Sequence, residues 1–250
     1  MKIKFKENNM ISVVPIAVFI IIWQILGYAA QTPLFPTPVK VVFEFFNLLK
    51  NGVLISSLLA SLWRVVVGLV LGSIAGIITG ILMGSNKIFE KSLQPILSIL
   101  YPIPTLGWLP LLILWIGINN KLPITLIFIC AFFPVTYNTL TGIKEVKEEY
   151  IKSAKVLGAS SKYTLKEVII PMALPNIFSG LRQESGMVWR TVIAAEMFAV
   201  PSGIGSLLIN AESLIRVDVI MVCLGVLSIM CLSFHRGFLW LENKMIGEWR

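Results

Sequence analysis

Apolar residues along this chain gather into long runs, and polar ones collect between them. Residues 10–30, 65–83, 92–120 and 122–143 contain no Asp, Glu, Lys or Arg. A bilayer core about 30 Å thick takes about 20 apolar residues per helix, so each run predicts a membrane-spanning helix. A fifth span is expected over 176–200, although charges interrupt it, and a sixth over 217–239. Outer-membrane strands would show strict two-residue alternation in short segments, which is absent, and a backbone in lipid must satisfy its own hydrogen bonds. The expected fold is therefore all-α and polytopic, with about six transmembrane helices.

The spans divide the chain. Residues 1–9 form an N-terminal segment and 10–30 the first helix. Residues 31–61 make an outer-side connection, and 62–250 hold a core of five helices with a loop at 144–175. Lys2, Lys4 and Lys6 precede the first run, and Gly27-Tyr28-Ala29 loosely matches a cleavage site. The run is long for a signal peptide, so an uncleaved anchor is expected. "TPLFPTPVKVVFEFF" makes a proline-stiffened connection whose amphipathic stretch, 39–49, is expected at the outer interface.

Composition agrees: 56% of residues are hydrophobic and 14% charged, against about 25% charged in soluble domains. With six spans and a cytoplasmic N-terminus, the outer side receives only Lys40, Lys50, Arg64, Lys121 and Arg216; most other Lys and Arg fall inside. That asymmetry puts both termini in the cytoplasm and the chain in the cell membrane. It also accounts for the net charge of +8, so no nucleic-acid partner is needed. Cys130, Cys223 and Cys231 lie within spans without a CxxC pair or a His cluster, so they are expected to pack rather than bind metal.

Two spans carry special patterns. Gly68, Gly72, Gly76, Gly80 and Gly84 recur every four residues, a stripe that lets another helix approach backbone to backbone. That helix could belong to this chain or to a second copy, and the spacing leaves both open. In "QPILSILYPIPTLGWLP", Pro95, Pro102, Pro104 and Pro110 kink or break the third span. Irregular backbone at that depth needs protein or a watery cavity beside it.

The polar loop before the fifth span is organised. The stretch 145–157 is helix-competent, with Ile151, Ala154 and Leu157 on one side. Gly158 suits a left-handed cap, Ser160 or Ser161 opens a second helix, and Pro171 and Pro175 set the approach to the membrane. A plain solvated loop would not need such start and stop signals. Two short helices with a Gly hinge make a knob suited to a partner's groove.

"KSAKVLGASSKYTLKEVIIPMALPNIFSGLR" resembles the cytoplasmic "EAA" loop of the membrane subunits of binding-protein-dependent ABC importers. Gly158 matches the central glycine, Leu174-Pro175 the later Leu-Pro element and Ala154 the final alanine; Lys152 stands where the family has Glu, and Ser153 for the first Ala. "SLWRVVVGLVLG", "YPIPTLGWLPLLILWIGI", "AFFPVTYNT", "AAEM" and "GIGSLL" are similar to the subgroup importing sulfonates, taurine, nitrate and related solutes. The resemblance implies a type I, MetI-like permease fold and a homodimer. It also implies docking of Lys152, Ser153, Ala154, Leu157, Gly158, Ala159, Ser160, Leu174 and Pro175 into a dimer of ATP-hydrolysing subunits, with a solute-binding protein delivering cargo outside. No cofactor is expected on this chain. It has no GxxxxGK[ST] phosphate loop, so ATP belongs to the partner and the chain itself is no enzyme.

Arg182, Glu184, Arg190 and Glu196 fall in the fifth span or its margin, where ionisable groups are functional candidates by default. Arg182 and Glu184 are expected to snorkel or pair locally near the inner interface. Trp189, Arg190 and Glu196 are pathway candidates. Arg190 either faces the pathway and favours an anion, or pairs with a Glu of another helix or of the opposite protomer. A secondary transporter would predict an inverted repeat around paired broken helices, and only one proline-broken segment is present. A non-transporting scaffold would leave the knob without a purpose. The solute itself is not encoded legibly here.

Overall fold

The computed structural model describes residues 9–247, with side chains from Val14 on, and no strand occurs among them. The elements are α1 (Asn9–Ala30), α2 (Pro38–Lys50), α3 (Val53–Ser85), α4 (Lys87–Leu100), a 3-10 turn (Thr105–Trp108), α5 (Leu109–Ile116) and α6 (Lys121–Lys144). There follow α7 (Glu148–Val156), α8 (Ser161–Thr164), a π turn (Leu165–Ile169), α9 (Ile170–Ala199), α10 (Ile204–Ser213) and α11 (Val217–Ile246).

Three helices, α3, α6 and α11, are long and apolar enough to cross a membrane. The number rises to five if each of two bent pairs counts as one span, and Val14–Ala30 adds a shorter apolar helix. The six expected segments are thus mainly helical, and the third of them is broken. The third, expected over 92–120, bends by 89° between α4 and the turn that begins at Thr105. Pro102 and Pro104 lie in that break, where neither can donate a ladder hydrogen bond. The fifth, expected over 176–200, runs unbroken to the end of α9, and a 54° bend follows it before α10.

The expected outer-side connection 31–61 is shorter than the sequence suggests, because α3 already begins at Val53. The amphipathic stretch forms α2, which Thr37 caps by accepting the Lys40 N–H. The charge-free run begins at residue 65 and leaves Arg64 outside the expected second span. Arg64 instead lies inside α3 and is buried, with 3% of its surface exposed.

At the centre, α3 lies along α6, and α6 along α9. The glycine stripe makes the first contact: a Cβ on Gly72 would stand 2.6 Å from the Phe128 carbonyl oxygen, and one on Gly80 2.6 Å from Thr139 Cβ. Gly68, Gly76 and Gly84 meet Ile127, Phe132 and Val135, and Ile143 equally closely. The neighbour that the stripe requires is α6 of the same chain, so these glycines serve intramolecular packing. On the other face of α6, Gly142 sits against Asn176 and Gly180 of α9 against Asn138. Small residues let backbones approach where lipid offers no hydrophobic force between helices. The three helices therefore stand as one tightly packed unit.

Candidate functional site

Three features lie on or beside α9. The first is a buried polar knot at its C-terminal end. Glu196 is 1% exposed and Arg64 comes within 2.5 Å of it. Ser61 donates its hydroxyl to both carboxylate oxygens at 3.0 and 2.8 Å, and the Gly205 N–H donates to Oε2 at 3.0 Å. The remaining Arg64 donors reach the Ser202 carbonyl (2.7 Å), the Ser202 hydroxyl (2.6 Å) and Asn120 Oδ1 (2.7 Å). Ser61 in turn accepts the Ile204 N–H at 2.9 Å. The carboxylate thus sits at the N-terminal end of α10, where free N–H groups and the helix dipole favour an anion. Gly203 holds φ at +108°, and any Cβ there would collide with this carboxylate. The "GIG" of residues 203–205 is therefore shaped by Glu196. The knot ties α3, α9, α10 and the α5–α6 connection together. It gives Glu196 no exposure to a pathway, contrary to the expectation that Glu196 faces one.

The second feature is an open-sided groove of about 760 Å³ between the α4–α5 break, α6 and α9. Tyr101, Pro102, Ile103, Pro104, Thr105 and Leu106 of the break form one wall; Cys130 and Pro134 come from α6, and Gln183, Glu184, Gly186, Met187, Arg190 and Thr191 from α9. The irregular backbone of the third span thus faces a cavity, as its prolines demanded. Arg190 is exposed in this groove, and its only side-chain hydrogen bond among the described residues is to the Met187 sulfur at 3.9 Å. Within this chain, then, Arg190 has no carboxylate partner among the described residues. Trp189 points the other way. It is 1% exposed, packed edge to face on Phe234 at 5.3 Å, and belongs to the core rather than to the groove.

Arg182 and Glu184 do not pair with each other. Arg182 reaches across to Glu242 of α11 at 2.7 Å. Glu184 is 3% exposed, buried in the bundle rather than snorkelling as expected of it. Its described hydrogen-bond partner is the Cys130 thiol at 3.4 Å, and that sulfur accepts the Thr191 hydroxyl at 3.4 Å. Cys130, expected to be a packing residue, is buried and also a polar contact.

The third feature is the projection at the opposite end of α9. α7 ends at Val156, Gly158 takes φ +85°, and Ser160 caps α8 by accepting the Tyr163 N–H at 3.2 Å. Hinge, cap and second helix thus stand where the residue types put them. α7 is shorter than the expected 145–157. Ile151 and Ala154 are half-buried, whereas Leu157, expected on the same face, is 86% exposed because the helix has already ended. Val156 at 87%, with exposed Tyr150 and Tyr163, completes an uncovered apolar surface. Lys152, Ser153 and Ser160 are exposed and Ala159 half-buried. Lys152 pairs with Glu148 one turn earlier at 2.7 Å, and its hydrogen bond and charge hold that carboxyl below the usual carboxylate range. Leu174 packs against Ile143 and Ile177, while Pro175 is exposed. No break interrupts the helix between Ser161 and Ala199; the wide turn at Leu165–Ile169 absorbs the irregularity just before Pro171. The second helix of the projection and the groove wall are therefore two ends of one rod, on whose lower end α7 packs across the Gly158 hinge.

Residues 68–247 match the family model of the binding-protein-dependent transport system inner membrane component. A putative ABC transporter permease of Methanocaldococcus jannaschii is 35% identical over 94% of this chain and 90% of its own length. The taurine transport system permease TauC of Escherichia coli is 32% identical over 89% of this chain and 83% of its own. The nitrate import permease NrtB of a Synechocystis strain is 33% identical over 93% and 88%. Among solved structures, an amino acid ABC transporter aligns over 80% of this chain with a TM-score of 0.66 at 20% identity. The inward-facing MetNI methionine transporter aligns over 74% with 0.61 at 15%; both likenesses concern the fold.

Proposed function

The chain belongs to the family of binding-protein-dependent transport system inner membrane components, and from that premise we propose how its three features divide the work of import. It is a multi-pass membrane permease, the transport subunit of an ATP-driven importer and not an enzyme. The groove between the α4–α5 break and α9 is the chain's share of the translocation pathway. The solute is a small anion, a reading supported by the exposed Arg190 and by relatives named for taurine and nitrate. Arg190 supplies a cation in a partly desolvated wall, where an unpaired charge is costly unless it has a partner to receive.

The projection over α7 and α8 couples this pathway to a separate ATPase dimer, which alone binds and hydrolyses ATP. Lys152, Ser153, Ala154, Leu157, Gly158, Ala159 and Ser160 meet that partner, with Leu174-Pro175 at the base. One observation carries this reading: Val156 and Leu157 are almost fully exposed on a capped, ordered knob whose second helix runs without a break into the groove wall. An apolar tip on an ordered element marks a docking surface, and the rod converts displacement of the tip into displacement of Glu184 and Arg190. A second copy of the chain completes the pathway, a solute-binding protein delivers cargo on the outer face, and both termini lie in the cytoplasm.

Co-purification tests the coupling. The native complex should carry an ATPase subunit, Leu157→Asp should release it while leaving the permease folded, and the purified chain alone should hydrolyse no ATP. Retention of the ATPase by the L157D variant, or hydrolysis by the chain alone, would contradict the proposal.

A further inference from the structure

Glu184 is the one groove charge that an anion pathway does not use. It is buried beside the cavity, and its only described polar contact is a thiol, a weak donor. Arg182, the nearest cation in sequence, is held by Glu242. The Glu196–Arg64 pair shows how this chain treats a structural carboxylate: a hydroxyl, a backbone N–H and a guanidinium surround it. Glu184 receives none of that treatment, although an uncompensated acid inside a membrane is expensive.

Glu184 and Arg190 line the same cavity, six positions apart on one helix, which is about 9 Å of axial rise. Opposite charges thus stand in two tiers along one wall. A two-fold axis parallel to the helices would place each residue level with its own counterpart in a second copy. That arrangement yields a cationic tier and an acidic tier rather than cross-pairing of the two. An axial separation of about 9 Å suits a short molecule with a charge at each end.

Resting on the reading of this groove as the pathway, we propose that its preferred solute is a small zwitterion, whose anionic group meets Arg190 and whose ammonium group meets Glu184. Glu184 is then a specificity-determining residue that favours such solutes over plain anions. Cys130 and Thr191 hold the carboxylate toward the wall until the ammonium arrives.

Binding to the purified permease–ATPase complex, free of any binding protein, separates this from the binding protein's own selectivity. The probes are 2-aminoethanesulfonate and ethanesulfonate, equal in length and differing in the ammonium group, at millimolar concentration with saturation-transfer NMR as readout. Wild type should bind the aminosulfonate more tightly. Glu184→Gln, which keeps the shape of the side chain, should weaken that solute by about thirtyfold and leave ethanesulfonate unchanged, since loss of one partner of a buried charge pair is felt at that scale. Glu184→Asp should retain part of the preference, and Arg190→Gln should weaken both solutes. Equal binding of the two probes by wild type, no binding of either, or an E184Q variant that weakens both alike would overturn the proposal. Retention of the ATPase subunit by each variant, read on the same samples, reports separately on folding and on the permease assignment.

Discussion

The most consequential single residues in this bundle are two that a charge-free search for spans separates. By their own sequence neighbours Arg64 belongs to the outer side and Glu196 to the pathway; in the fold they meet across 132 positions of sequence. The presence of "AAEM" and "GIGSLL" was legible, but not that the glycines of the second exist to clear the acid of the first. Removing one partner of such a pair leaves the other buried and unpaired, which costs about 3–5 kcal/mol. Glu196→Gln should therefore lower stability by that amount in detergent unfolding. Adding Arg64→Met should cost less than the sum of the two single changes, since neighbours in one network are not additive. A Glu196→Gln change within about 0.5 kcal/mol of wild type would show that the knot is not structural.

At the scale of elements, periodicity was the most readable signal. A four-residue glycine repeat announces close helix contact, and the sequence could not say with which helix; α6 supplies the answer through residues spaced to match. The same logic separates glycines that look alike in sequence. A Cβ on Gly80 would come within 3 Å of Thr136 and Thr139, whereas one on Gly237 of α11 would meet open space. Gly80→Ala should force α3 from α6 and cost about 1–3 kcal/mol, as overpacking does. Gly237→Ala should be neutral or gain up to about 1 kcal/mol from helix propensity. The two unfolding curves, run side by side, check this, and equal effects would contradict it. The bend of the third span was foreseeable from its prolines, though not its size, because proline fixes φ and removes a donor without dictating where the chain goes next.

For the whole molecule, six apolar segments were legible from run length, and a projecting helix pair from its caps and hinge. The burial of Glu184 and of Trp189 was not, because helical rotation about α9 depends on which face α6 and α11 claim. What the assembled fold adds is mechanical continuity from Ser161 to Ala199, so that an exposed apolar tip and a charged groove wall move together. The most direct test of that account is site-specific crosslinking from Val156→Cys in the intact membrane. The product should be the ATPase subunit, and its yield should change between nucleotide-free and ATP-trapped states as the tip is displaced. Crosslinks to lipid or to nothing, or a yield to the ATPase that ignores nucleotide, would contradict the claim that a separate motor drives the groove through this projection.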